Sequence, residues 1–168
     1  MTIQIDSREH KWEMARIQRQ LTAAGCKTIV SKLYVGDYML LDNPRLVIDR
    51  KKDLLELCGN VCQQHERFRA ELVRAMDAGI QLIILCEHGD DIQTLEDVYF
   101  WDNPRRKEHP KATSGESLYK SLTTIRDKYN VRFVFCNKSN TGRMIMELLG
   151  NGKEKEQGLD KAVQANNR

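Results

Sequence analysis

Gly36-Asp37-Tyr38-Met39-Leu40-Leu41-Asp42-Asn43-Pro44-Arg45-Leu46-Val47-Ile48-Asp49-Arg50-Lys51 is the stretch from which the fold can be read. An acid at Asp37 ends one apolar run, a Pro-containing turn follows, and a second apolar run carries Asp49-Arg50-Lys51. Side chains alternate faces along a strand, so Asp49 and Lys51 should project to one side and Arg50 to the other. A hairpin turning at Asp42-Asn43-Pro44 would return Asp37 towards them. Two carboxylates and one ammonium then meet at the edge of a sheet.

Upstream, Thr2 to Asp6 alternates polar and apolar residues as a short strand does. A helix follows from Lys11 to Ala24, with Met14, Ile17, Leu21 and Ala24 as its apolar stripe and Gly25 as its stop. Thr28 to Val35 reads as a second strand, punctuated by Gly36. Downstream, Asp53 to Val61 reads as a short helix, although Gly59 and Asn60 weaken it. Gln63 to Ala78 is a stronger one, with Phe68, Leu72, Val73 and Met76 inward and Arg67, Arg69 and Arg74 on the wet face. Ile80 to Cys86 is nearly continuously apolar, as expected of a strand covered on both sides.

Residues 87–114 are irregular and hold an apolar knot (Val98, Tyr99, Phe100, Trp101) and a basic loop. Ser114 caps a predicted helix to Tyr129, with Leu118, Leu122 and Ile125 inward. Val131 to Cys136 is another interior strand, and a helix from Thr141 to Leu149 follows. Strands and helices alternate, which makes the fold class α/β, a sandwich with a mixed central sheet. The expected organisation is one domain over residues 1–150 and a flexible polar tail over 151–168.

Composition sets outer bounds. The 168 residues suffice for one domain with a real core, and 40% apolar with 30% charged content is ordinary for a globular chain. A net charge of +3, from 27 Lys and Arg against 24 Asp and Glu, permits a polyanionic partner without arguing for one. No apolar run approaches a membrane span and no signal peptide is evident, so a cytoplasmic or nucleoid-associated location is expected, with no secretion and no membrane. The five cysteines then read as reduced. Cys58 and Cys62 with His65 mimic a metal clip, but no fourth ligand sits at a typical spacing, so they read as buried thiols.

The central stretch suits one chemistry. Phosphodiester hydrolysis needs charge stabilised on the phosphorus oxygens and a water made nucleophilic. Mg²⁺ takes hard oxygen ligands and keeps several waters. Asp37 and Asp49 would provide two ligands, the Arg50 backbone carbonyl a third, and Lys51 could orient the water or balance charge. An acid-x-Lys triplet is common and usually sits on a solvated face; here it directly follows a buried Leu-Val-Ile run.

At this point the sequence resembles a known family, the XPF-type branch of the PD-(D/E)xK nucleases, structure-specific endonucleases of DNA repair and recombination. Ile5-Asp6-Ser7-Arg8-Glu9 is similar to the family's Val-Asp-x-Arg-Glu opening. Val35-Gly36-Asp37-Tyr38 is similar to its Gly-Asp-Tyr element, and Val47-Ile48-Asp49-Arg50-Lys51 to its Glu-Arg-Lys motif. Gln64, Arg67 and Phe68 resemble its following helix, and Ser114 to Leu122 a later one.

The resemblance implies a restriction-endonuclease-like three-layer sandwich and a Mg²⁺- or Mn²⁺-dependent endonuclease acting on branched or flapped DNA. It implies Asp37 and Asp49 as metal ligands, Lys51 as the catalytic lysine and Asp6 as the remaining catalytic acid. Arg8 and Arg50 would support the site or meet phosphate, and Gln64 and Arg67 would bind substrate. Two departures stand out. Asp49 replaces the family's usual Glu, and Leu55 stands where an acid is usual, leaving Asp53 or Glu56 to substitute. The family's paired helix-hairpin-helix domain is absent from this sequence, as in small single-domain phage and bacterial members. Substrate grip would then come from the domain itself, a homodimer or a helper DNA-binding protein.

Other features keep two readings each. Arg105, Arg106 and Lys107, with Lys111, either track a phosphate backbone or form a solvated loop. Trp101 either stacks on an unpaired base or anchors the long loop. A catalytically silent DNA-binding or scaffold subunit is the rival to the enzyme; such members usually lose the acids or the Lys, and all three are present here.

Overall fold

A computed structural model describes residues 1–151, so the tail expected beyond Gly150 lies almost wholly outside the described residues. Six strands form one sheet in the order β2-β1-β3-β4-β5-β6. They are β1 (Thr2–Asp6), β2 (Lys27–Ser31), β3 (Tyr38–Leu40), β4 (Asn43–Lys51), β5 (Gln81–Glu87) and β6 (Arg132–Cys136). β3 runs antiparallel to both its neighbours, and every other pairing is parallel. The helices are α1 (Lys11–Ala23), α2 (Leu54–Cys62), α3 (His65–Asp77), α4 (Gly115–Tyr129) and α5 (residues 141–151).

β5 shows why this is a three-layer sandwich. Leu82, Ile84 and Cys86 enter a core with Leu54 and Leu57 of α2, Phe68 and Leu72 of α3, and Leu118 and Leu122 of α4. Ile83 and Leu85, on alternate positions, enter a second core with Ile17 and Leu21 of α1 and Ile145 and Leu149 of α5. A strand buried on both faces carries apolar residues at consecutive positions, which is the continuous run seen in the sequence. The α/β fold with a mixed sheet flanked by helices is therefore as expected.

Five local expectations need correction. The second strand stops at Ser31 rather than Val35, because Leu33 gives its backbone groups to side chains of β1's end: its N–H donates to Asp6 Oδ2 and its carbonyl accepts from Arg8. The hairpin turns at Leu41-Asp42, so that Asn43 and Pro44 already belong to β4. In α3, Ala75 is buried where Met76 was expected and Met76 is half exposed. Ala24 lies past the end of α1 and is exposed. Cys62 is exposed, although the other four thiols are buried and all five are free.

Trp101 proves to be the anchor of the long loop, 8% exposed in the core under α4, whereas neighbouring Phe100 is 83% exposed. Ser114 caps α4 as expected, its Oγ accepting from the Ser117 N–H. No described helix is long and apolar enough to cross a membrane.

Candidate active site

Because β1, β4 and β5 are mutually parallel, Asp6, Asp49-Arg50-Lys51 and Glu87 all fall at the same end of the sheet. The antiparallel β3 begins at that end, which brings in Asp37 just before it. The carboxyl ends of strands are where open α/β sheets leave room for a ligand. A cleft of about 740 Å³ opens there, walled by the start of α1 on one side and by α3 on the other.

Asp37 is wedged between strands. Its N–H donates to the Ile48 carbonyl and its own carbonyl accepts from the Asp6 N–H, both at 2.8 Å. Gly36 allows this approach: its φ is +65°, and a Cβ there would stand 2.6 Å from Val47 Cγ1 and 2.9 Å from the Ile48 oxygen. Only glycine adopts such a backbone without strain. β3 starts opposite Ile48, so β4 overhangs it by three residues, Asp49 to Lys51. In an extended strand the N–H and carbonyl of one residue point to the same side. The Arg50 N–H donates to Asp37 Oδ2 at 2.7 Å, so the Arg50 carbonyl is aimed into the same gap.

The alternation of β4 sorts the three charges as expected. Lys51 Nζ lies 2.6 Å from Asp49 Oδ2 and 5.4 Å from the centroid of the Phe68 ring. That Asp49 oxygen is buried and makes no hydrogen bond of good geometry. Arg50 turns to the opposite face, where Glu9 meets its Nε and Nη2 at 3.0 and 3.2 Å and Glu87 its Nη1 at 3.3 Å. Glu87 also pairs with Arg16 and accepts from Thr141 Oγ1, and Glu13 links Arg16 to Lys138. Arg50 is thus a buried tie between the sheet end, α1 and α5.

Electrostatics separate the acids. Burial, then the charges of Asp49 and Glu9, hold the Asp37 carboxyl well above the usual range against the Arg50 N–H bond and Lys51. A cation in the cleft would relieve that crowding. For Asp6 burial also pushes up, but the Arg8 side chain and the Leu33 and Arg8 N–H groups outweigh it and leave the carboxyl below its ordinary value. Both Asp6 oxygens are engaged: Oδ1 accepts from Arg8 N and Nε, and Oδ2 from Arg8 Nη2 and Leu33 N. For Lys51 burial pushes down, but Asp49, Asp37 and Glu71 outweigh it and keep the ammonium charged.

The charges are layered. Asp49 and Lys51 are buried at the floor beside half-buried Asp37, whereas Arg8, Lys52, Arg67 and Arg74 are exposed around the walls. The donor set suits a hard divalent cation: two carboxylates and one strand carbonyl converge, and the rest of the shell would be water. Among the described residues no three His, Cys, Asp or Glu side chains cluster as a metal site by themselves, so the carbonyl and waters are needed.

The cleft gathers Asp6, Arg8, Asp37, Asp49, Arg50, Lys51 and Arg67. It does not gather Gln64, at the exposed start of α3, nor Arg105 and Arg106, on an exposed 3₁₀ turn (Pro104–Lys107). Of the two substitutes for the acid absent at Leu55, Asp53 caps α2 by accepting from the Glu56 N–H, and Glu56 returns a bond from the Lys52 N–H. Asp53 is thus engaged as the N-cap of α2, whereas Glu56 lies among the residues lining the cleft. Sequence reasoning missed Glu71, which accepts from the Gly36 N–H at 3.2 Å, and also Glu13, Glu87, Lys52 and Arg74. Spacing holds no signal for these, since only the packed fold brings α3 to the connector before β3.

The ERCC4 domain family matches this sequence over residues 5–148. The chain belongs to that family. Among solved structures it is similar to XPF from Aeropyrum pernix, at 18% identity and a TM-score of 0.66, covering 96% of this chain and 69% of that one. It is similar also to XPF from Aeropyrum pernix in complex with DNA, at 18% identity and a TM-score of 0.64, covering 92% of this chain and 66% of that one. The chain therefore spans about two thirds of the length of these structures, and at this identity the likeness speaks for the fold. No curated protein matches in sequence. The fold is that of the XPF nuclease domain, and the cleft described above belongs to an ERCC4-family domain.

Proposed function

We propose that this chain is a Mg²⁺- or Mn²⁺-dependent endonuclease that hydrolyses phosphodiesters in branched or flapped DNA. The observation that carries the reading is the layered cleft: buried Asp49 and Lys51 with Asp37 at the floor, and exposed Arg8, Lys52, Arg67 and Arg74 above them. The exposed cations would take the flanking phosphates and fix the duplex, a positioning role without sequence preference.

Asp37, Asp49 and the Arg50 carbonyl would hold the metal ion. When bound, the ion supplies Lewis acidity to the scissile phosphate and lowers the pKa of a water. Lys51 holds its proton, so it acts as a fixed positive charge that orients the attacking water and offsets charge gathering on the phosphate oxygens. Asp6 anchors Arg8, which would meet phosphate. Arg50 keeps β4 in place through Glu9 and Glu87. Arg105 and Arg106, apart from the cleft, would meet only flanking DNA, and Gln64 likewise.

The test is cleavage of labelled duplex, single strand, splayed fork, flap and four-way junction in Mg²⁺, Mn²⁺ or EDTA, beside Asp49→Asn. Cutting that requires metal and disappears in the variant supports the enzyme, and the preferred DNA names the substrate. Forks bound equally by both proteins and cut by neither would instead support a silent subunit.

A further inference from the structure

The connector from β2 to β3 carries one outward aromatic side chain beside the cleft. Leu33 and Val35 are 4% and 2% exposed, whereas Tyr34 between them is 66% exposed. The backbone is clamped on both sides of it. The Leu33 N–H donates to Asp6 Oδ2 at 2.6 Å, its carbonyl accepts from Arg8 at 3.1 Å, and the Gly36 N–H donates to Glu71 at 3.2 Å. Arg74 of α3, a residue of the cleft wall, brings its guanidinium carbon to 5.9 Å from the Tyr34 ring centroid.

A rigid aromatic costs little entropy to engage, and a base can stack on it whatever its identity. Bases inside a duplex already stack on both neighbours and offer no free face. An unpaired base does offer one, and Arg74 adds a charge for the adjoining phosphate. The Asp6–Arg8 pair, with no spare carboxylate oxygen, also acquires a purpose, because it pins the residue before the platform.

We propose that Tyr34, backed by Arg74, is a stacking platform for an unpaired nucleobase next to the phosphate held over Asp37 and Asp49. This rests on the nuclease reading and adds the residue that tells unpaired from paired DNA. Tyr34 acts through its ring and not its hydroxyl.

The experiment uses the full chain and its Tyr34→Ala and Tyr34→Phe variants. A forked DNA with 2-aminopurine at its first unpaired position is compared with a blunt duplex of the same sequence, both in Ca²⁺. The wild type and Tyr34→Phe should quench 2-aminopurine. Tyr34→Ala should lose the quenching and about tenfold of fork affinity relative to duplex affinity, as removal of one stacked base would give. The platform is overturned if Tyr34→Ala weakens fork and duplex alike, if it weakens neither, or if Tyr34→Phe behaves as Tyr34→Ala. Metal-dependent cutting by wild type alongside any of those results leaves the nuclease reading standing. A wild type that quenches 2-aminopurine but never cuts sinks the nuclease reading and keeps the platform.

Discussion

Lys51 Nζ sits 2.6 Å from Asp49 Oδ2, two residues back on the same strand and facing the same cleft. Burial alone would push the ammonium towards neutrality, but Asp49, Asp37 and Glu71 hold it charged, so on the proposed reading Lys51 would serve as a cation and not as a base. Lys51→Ala should lower the single-turnover cleavage rate by roughly 10²–10³-fold, the scale of losing one preorganised electrostatic partner. DNA binding should fall far less, since the exposed cations remain. A variant that cleaves at the wild-type rate would remove Lys51 from the chemistry.

Asp37→Asn should kill cleavage and yet stabilise the metal-free protein. The Asp37 carboxyl lies above its ordinary 3.8 because burial, Asp49 and Glu9 oppose its ionisation. A raised carboxyl makes the folded state hold its proton longer than the unfolded one. The cost to stability is therefore absent below 3.8, grows as pH rises towards the folded value, and is complete above it. Asn keeps an acceptor for the Arg50 N–H without the charge. Thermal unfolding in EDTA at neutral pH should show the variant about 2–4 °C higher for each kcal/mol relieved. An unchanged or lower midpoint would mean that Asp37 is not under electrostatic pressure.

The parts of the site legible in sequence are those set by a single strand's geometry. Asp49, Arg50 and Lys51 follow Leu46-Val47-Ile48 without a break, and alternation alone separates Arg50 from the other two. The strand end at Ser31 was not legible, because nothing local says that Asp6 and Arg8 will capture the Leu33 backbone from 25 or more residues away. The Asp42-Asn43-Pro44 turn misled for a different reason. Asn43 is buried and accepts the Arg45 N–H, a local bond that lets it begin β4. Glu71 and Arg74 carried only a helical wet-face signal, and their place beside Gly36 and Tyr34 depends on how α3 crosses the sheet. Asp53 and Glu56 were legible as acids near Lys51, but Asp53 is engaged as the N-cap of α2 and Glu56 accepts from the Lys52 N–H.

Gly36→Ala tests how tightly Asp37 must be placed. The new Cβ would meet the Ile48 backbone oxygen at 2.9 Å in a conformation of positive φ, so both contact and strain oppose it. Strain and overpacking of this kind cost about 1–3 kcal/mol. Cleavage should fall at least as far as in Asp37→Asn with fold retained, as judged by circular dichroism and a urea midpoint. Wild-type activity would mean that the turn tolerates displacement.

Glu87→Gln tests the buried network behind the cleft. Glu87 is 1% exposed and faces Arg50, Arg16 and Thr141 together. Removing one partner of a buried ion pair costs about 3–5 kcal/mol, because the other charge stays buried. The amide can still take the Thr141 hydroxyl, so the lower end of that range is expected in urea unfolding. A loss no larger than that of an exposed pair such as Lys120–Glu116 would show the network to be solvated.

Glu13 should contribute to the loss of stability in acid. Burial pushes its carboxyl up, but hydrogen bonds from Lys138 and Arg16 and the charges of Arg16 and Arg50 bring it from 4.5 down to about 2. A lowered carboxyl contributes stability that is present above its unfolded value and lost as pH falls through the folded one. The window is therefore from 4.5 down to about 2, and Asp6, also lowered, acts in the same direction. Glu13→Gln should lower the unfolding midpoint at neutral pH, where its ion pairs to Arg16 and Lys138 are lost. Below 4.5 the wild-type midpoint should drop more steeply than the variant's, so the two curves converge towards pH 2. Midpoints measured at half-unit steps decide it: curves that stay parallel through the window would mean that Glu13 is not held ionised by the fold.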